Sequence, residues 1–179
     1  MHSTILTIGH STRPIEEFLE LLTAHEVEQV VDVRTIPKSR RNPQFNSEDL
    51  RRALRTRHIR YVHLPKLGGL RHPRQDSINT GWRNASFRGY ADYMQTPDFE
   101  RSLKELIDLS SKHRTAIMCA EAVPWRCHRS LIADVLLARG VPVEHIMSKS
   151  SCKVHTYTPF ARVEGGKVTY PGEAASLFE

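Results

Sequence analysis

The stretch "STILTIGHSTRPIEEFLELLTAHEVEQVVDVR", Ser3 to Arg34, holds a complete strand, helix and strand unit and so decides the fold class. "STILTIG" is a β-branched and apolar run bounded by Gly9, which reads as a short strand. Pro14 then opens "IEEFLELLTAHE", whose Ile15, Phe18, Leu19 and Leu22 share one helical face. "QVVDVR" follows as a short buried strand.

The same unit recurs outward from this stretch. A loop to Asn46 leads to a helix with Ser47 as its expected N-cap, then to the strand "IRYVHL". A polar connection, Pro65 to Ser86, is long enough to be either mobile or functional. "YADYM" suggests a short helix, and Asp98 is expected to cap "FERSLKELIDLSSK". "RTAIMC" reads as a strand, His128 to Arg139 as a helix ended by Gly140, and "VPVEHIM" as a fifth strand. Gly165 and Gly166 between alternating runs predict a hairpin. The expectation is a single-domain, three-layer α/β/α protein with a mostly parallel sheet of about five strands over residues 1–150. The tail, 151–179, is expected to pack on the same domain as a hairpin over one sheet edge.

The 179 residues suit one such domain. A hydrophobic share of 39% and a charged share of 26% exclude a chain disordered throughout. "MHSTILTIGHSTR" lacks the basic leader and apolar length of a secretory signal, and nowhere do about 18 apolar residues run together; a cytoplasmic protein with no membrane partner is expected. Twenty-six Lys and Arg against 20 Asp and Glu give +6 and a pI near 9.5, which favours anionic partners. Much of that excess lies between Arg34 and Arg60, where Arg51, Arg52, Arg55 and Arg57 read as a solvated helix face. Cys119, Cys127 and Cys152 form an odd set without disulfide-scaffold spacing, which fits a reducing compartment.

In sheets of this kind, the loops leaving the carboxyl ends of the strands share one ligand-binding rim. Those loops are "GHSTR", "RTIPKSRR", "PKLGGLR", "AEAVPWRCHR" and "SKSSCK". In the first, the backbone N–H groups of Gly9 to Arg13, the hydroxyls of Ser11 and Thr12 and the Arg13 guanidinium could hold an anion at a helix start, or Ser11 or Thr12 could simply cap that helix. His10 is a candidate acid or base. Asp32 could orient Arg34 toward a phosphate or carboxylate, with Lys38 nearby, or the pair could seal the sheet end. Cys127 opens a helix beside His128 and Arg129, a setting that favours thiolate, so it leads the reactive candidates. Cys119 is either a second reactive thiol or core, and Glu121 either an acid/base group or a clamp for Arg126 or Arg129.

With these residues in view, the chain resembles the Domain of Unknown Function 488 family through "TIGHST", "VVDVRTIPKSRRNPQF", "YVHLPKLGG" and "CAEAVPWRCHR", in that order. The resemblance implies a compact α/β domain with Gly9, His10, Ser11, Asp32, Arg34, Cys119, Glu121, Cys127, His128 and Arg129 as shared motif positions, and it supplies no reaction. "DVR" at a strand end with a later strand-end cysteine is also similar to rhodanese-type sulfurtransferases. That likeness implies a persulfide-carrying Cys119, although proline, tryptophan and a second cysteine occupy the longer loop here.

These readings point to a cysteine-dependent enzyme of sulfur or group transfer that binds an anionic small molecule or nucleotide-like ligand at the rim. Cys127, Cys119, Glu121 and His10 are its catalytic candidates; Gly9, Ser11, Thr12, Arg13, Arg34, Lys38, His128 and Arg129 its anion-binding ones; Asp32 orients. Two alternatives stay open: a non-catalytic nucleic-acid-binding protein that stacks bases on Trp82 or Trp125, and a metal site of Cys119, Cys127 and His128. The sequence names no cofactor and no oligomeric state.

Overall fold

The computed structural model describes residues 2–172; the last part of the expected tail, 173–179, lies outside the described residues. In chain order β1 (Ile5–Gly9) leads through α1 (Ile15–Ala24) to β2 (Gln29–Asp32), and α2 (Ser47–Arg55) connects to β3 (Arg60–His63). α3 (Ala85–Tyr93) and α4 (Pro97–Lys112) precede β4 (Thr115–Cys119), and α5 (Arg129–Ala138) precedes β5 (Val143–Ser148). β6 (Ser151–Val154), β7 (Arg162–Glu164) and β8 (Lys167–Thr169) complete the set. None of these helices is long and apolar enough to cross a membrane.

Six strands form one sheet in the order β3-β2-β4-β1-β5-β6, the first five parallel and β6 antiparallel to β5. The architecture is thus the expected α/β with a mostly parallel sheet and a C-terminal hairpin, β7-β8. Alternate residues of the central strands feed two apolar layers. Leu6, Ile8, Val30, Ala116 and Met118 pack under α1 and α2. Ile5, Val31, Ile117 and Cys119 pack under α3, α4 and α5. Burial on both faces accounts for the unbroken apolar runs of β1 and β4, every residue of which is buried.

Local details depart from the sequence reading. Thr96, not Asp98, caps α4: its Oγ1 accepts from the Phe99 amide, and Pro97 takes the first helical position, where its missing N–H costs nothing. Asn46 holds the N-cap position of α2, but its side chain is committed to the Ser39 amide. The sheet edge is covered by β6, because the chain turns back directly after β5; the hairpin instead lies on α5, burying Val168 and Tyr170. The long connection after β3 is tied down. Asp92 of α3 accepts from the Arg74 amide, Ser77 Oγ and Asn79 Nδ2, and Asn79 Oδ1 accepts from the Tyr170 amide.

β1 and β4 are neighbours whose onward connections diverge, β1 into α1 on one face and β4 into α5 on the other. Such a divergence opens a crevice at the carboxyl ends of the two strands. Gly9, paired with Cys119 in the parallel register, sits at that point. A Cβ there would lie 1.7 Å from the Glu121 carbonyl oxygen, so glycine is what lets the post-β4 loop close over the end of β1.

Candidate functional site

The crevice is a cavity of about 720 Å³ at the carboxyl ends of β1, β2 and β4. His10, Ser11 and Thr12 line it from β1, Arg34 and Lys38 from β2, and Cys119, Glu121, Cys127 and His128 from β4 and the start of α5. Nine sequence candidates therefore meet at one place. Gly9, Arg13, Asp32 and Arg129 do not line it, and each has another task.

The expected anion nest at "GHSTR" is spent on the fold. The His10 amide donates to Cys119 O and the Ser11 amide to Ala120 O, which stitches the turn to β4. Arg13 donates to Gly9 O and pairs with Glu17, facing away. Neither Ser11 nor Thr12 caps α1; Ser11 turns the chain with φ of 49°. His10 is buried and stacked on Phe45, ring centroids 4.3 Å apart. Its Nδ1–H donates to Ser11 O, which leaves Nε2 as an acceptor facing Arg34 Nη1 at 3.5 Å. Burial, with the Arg34 charge adding, lowers its pKa, so it is neutral near pH 7.

Arg34 and Asp32 seal the sheet end. Nε and Nη2 donate to the two Asp32 oxygens at 2.9 and 2.7 Å, and Nη2 also donates to Phe45 O. Tyr61 adds a 2.6 Å bond to the same carboxylate. Only Nη1 of Arg34 is left toward the cavity. The exposed cations are further out, where Lys38, Arg40 and Arg41 border one side of the opening and Arg126 the other. Two apolar side chains, Ile36 (63% exposed) and Leu70 (78% exposed), stand at the same opening, and Leu70 holds a positive φ of 62°.

The thiols lie at the floor. Cys127 Sγ donates to Cys119 Sγ at 2.7 Å and has His128 Nδ1 at 3.5 Å on its other side. Burial pushes the Cys119 thiol up, but the Cys127 hydrogen bond, the Arg129 charge and the Glu121 backbone together outweigh it and bring it below an ordinary thiol. Cys127, as the donor to Cys119 and itself buried, is pushed well up. Although Cys127 precedes a helix, the surrounding hydrogen bonds and the Arg129 charge favour the thiolate at Cys119. His128 packs against Gly69, donates Nε2–H to Val33 O at 3.1 Å and is lowered by burial to about 4, so it meets Cys127 as a neutral acceptor rather than an anion as a cation.

Arg129 lies beneath the loop, 1% exposed, with Nη2 donating to Ala122 O and with Nε and Nη1 unpartnered among the described residues. Glu121 is exposed at the cavity wall and forms no ion pair with Arg126 or Arg129 among the described residues. No three His, Cys, Asp or Glu side chains among the described residues come together to hold a metal, as His10 and His128 turn ring nitrogens onto backbone carbonyls.

The family described as "Domain of unknown function DUF488" matches residues 14–136, more than half of the chain. The chain belongs to that family. In this DUF488 protein the match takes in the Asp32 to Arg34 segment and the Cys119 to Arg129 loop, and begins after the His10 turn. No curated protein and no solved structure matches the chain.

Sequence reasoning missed Thr35, Leu70 and the pairing of the thiols. Thr35 Oγ1 donates to Gly69 O and so joins two rim loops. "PKLGGLR" was a visible signal for that wall. Trp82, a stacking candidate, is taken up by Phe87, Phe160 and Tyr170. Trp125 is exposed on the far side of the loop, with Lys153 at 5.0 Å from its ring, and lines a separate pocket.

Proposed function

We propose that the protein is a cysteine-dependent enzyme of sulfur or group transfer, with Cys119 as nucleophile and an anionic small molecule as substrate. The observation that carries this reading is the buried Arg129, a guanidinium with two donors unpartnered and no ion pair among the described residues, next to a thiol that already accepts a hydrogen bond. A buried cation without a counter-charge is costly, and a thiolate at Cys119 supplies that charge. Cys127 holds the proton and keeps the thiolate ready. Lys38, Arg40, Arg41 and Arg126 surround the opening and favour a negatively charged ligand. Ile36 and Leu70 offer apolar contact to the rest of it. Glu121 and His10 remain the acid/base candidates at the walls.

Alkylation with a matched pair of reagents tests both halves at once. Iodoacetate carries a negative charge and iodoacetamide does not. At low salt, Cys119 is expected to react faster with iodoacetate, a preference that fades as salt screens the rim. Cys152, outside the cavity, is the internal reference. If both thiols show the same reagent preference, the anionic-substrate reading fails.

A further inference from the structure

We infer that Cys127 is a resolving thiol, and that the Cys119–Cys127 pair carries out a two-electron reduction of a substrate with an S–S bond. This rests on Cys119 being the nucleophile. The geometry is specific to a pair: the two sulfurs touch, both line the cavity, and Cys127 lies between Cys119 Sγ at 2.7 Å and His128 Nδ1 at 3.5 Å. Because His128 spends Nε2–H on Val33 O, its Nδ1 lone pair is the acceptor that faces the thiol. Cys127 has one proton and two acceptors.

The sequence of steps follows from that choice. The Cys119 thiolate attacks one sulfur of the substrate's S–S bond; the new Cys119–substrate disulfide forms and the other half leaves as a thiolate. Cys119 can then no longer accept the Cys127 proton, which passes to His128 Nδ1. The resulting Cys127 thiolate attacks Cys119 Sγ, forms the Cys119–Cys127 disulfide and expels the second half of the substrate as a thiolate, which takes the proton from His128. The substrate gains two electrons and the protein's two thiols lose them. A low-molecular-weight thiol outside the protein restores the pair.

The surroundings support a resolving role over simple packing. Seven residues of loop join the two cysteines, with the short turn Pro124–Arg126 inside them, so this loop returns Cys127 to the end of β4 where Cys119 stands. Within that loop Ala122 O is fixed by Arg129 and Cys127 O by Ser130, which leaves both sulfurs at the floor of the opening.

Dithiobis-nitrobenzoate, an anionic aromatic disulfide, is the probe, used on the full chain carrying Cys152→Ser. The expected result is about two thionitrobenzoates released per protein, no retained adduct, and a peptide map with Cys119 joined to Cys127. Adding Cys127→Ser is expected to give about one release with the adduct held on Cys119. A Cys152→Ser protein that keeps the adduct on Cys119 beside a free Cys127 overturns the resolving role and leaves the nucleophile in place. Undiminished reaction in Cys119→Ser removes the nucleophile, and the resolving role with it. The first readout needs no change at either thiol, so it stands even where a cysteine variant folds poorly.

Discussion

Two polar clusters of this fold differ in how completely they are satisfied. In the first, Thr7 of β1 meets His145 Nδ1 of β5 at 2.6 Å, and His145 Nε2 meets His155 Nδ1 at 2.9 Å. His155 Nε2 meets Asp134 Oδ1 of α5 at 2.8 Å, while Asp134 Oδ2 accepts from Thr158 and Tyr170. Both nitrogens of both rings and both carboxylate oxygens are used. The chain fastens the tail and hairpin to the sheet. In the second, at the rim, Arg129 has two donors without a partner and Glu121 no ion pair among the described residues, and one thiol proton stands between two acceptors. A saturated network holds a shape, whereas an unsaturated one keeps interactions open for a ligand.

The largest effect expected from breaking this contrast is on stability. Asp134→Ala removes the acceptor of three side chains and leaves His155 and Tyr170 buried without it; urea unfolding should show a loss of about 3–5 kcal/mol. Cys119 labelling in the remaining folded protein should stay near the parent rate. A loss under about 1 kcal/mol would place the fastening elsewhere.

Acid separates the clusters next. Burial lowers His145 to about 3 and His128 to about 4, one histidine in each cluster. From about pH 6.5 downward the unfolded chain binds protons that the folded chain refuses, so stability falls as pH falls toward those values, by up to about 1.4 kcal/mol per pH unit for each. His128→Asn should flatten part of that slope, and an unchanged slope would show that the rim histidine does not contribute.

Arg129→Met sharpens the comparison from the other side. Methionine keeps most of the volume but removes the charge that favours the Cys119 thiolate, so urea unfolding should change by less than about 1.5 kcal/mol while Cys119 alkylation near pH 7 slows about tenfold. A stability loss with an unaltered thiol would make Arg129 structural. Glu121→Gln gives the smallest change: its carboxylate opposes the Cys119 thiolate, so labelling should rise about twofold. A fall in labelling would instead support a proton-accepting role.

How far each cluster was legible in the sequence follows from range. Strands and helices declared themselves through local period, and the rim loops through their place after each strand, so Cys119, Glu121, Cys127 and His128 could be brought to one crevice in advance. The contact between the two thiols could not be foreseen, because it depends on how the loop folds back over the buried Arg129, which Ala122 O anchors. Helix position alone favours Cys127, whereas the hydrogen bond between the thiols and the Arg129 charge favour Cys119. The Asp134 chain was invisible for the same reason. Asp134 stands inside the apolar run "SLIADVLLARG" with no partner nearby in sequence, and it is fully buried because His155, Thr158 and Tyr170 close over it. His145 and Thr7 are partners only through the β1–β5 register.

The most direct test of the account is the pH dependence of iodoacetamide alkylation, followed at each cysteine by peptide mass spectrometry. Cys119 is expected to titrate below the ordinary thiol value of about 8.5 and to react well ahead of Cys127 at neutral pH. Faster reaction at Cys127, or a Cys119 profile that rises only at or above the ordinary value, would contradict it.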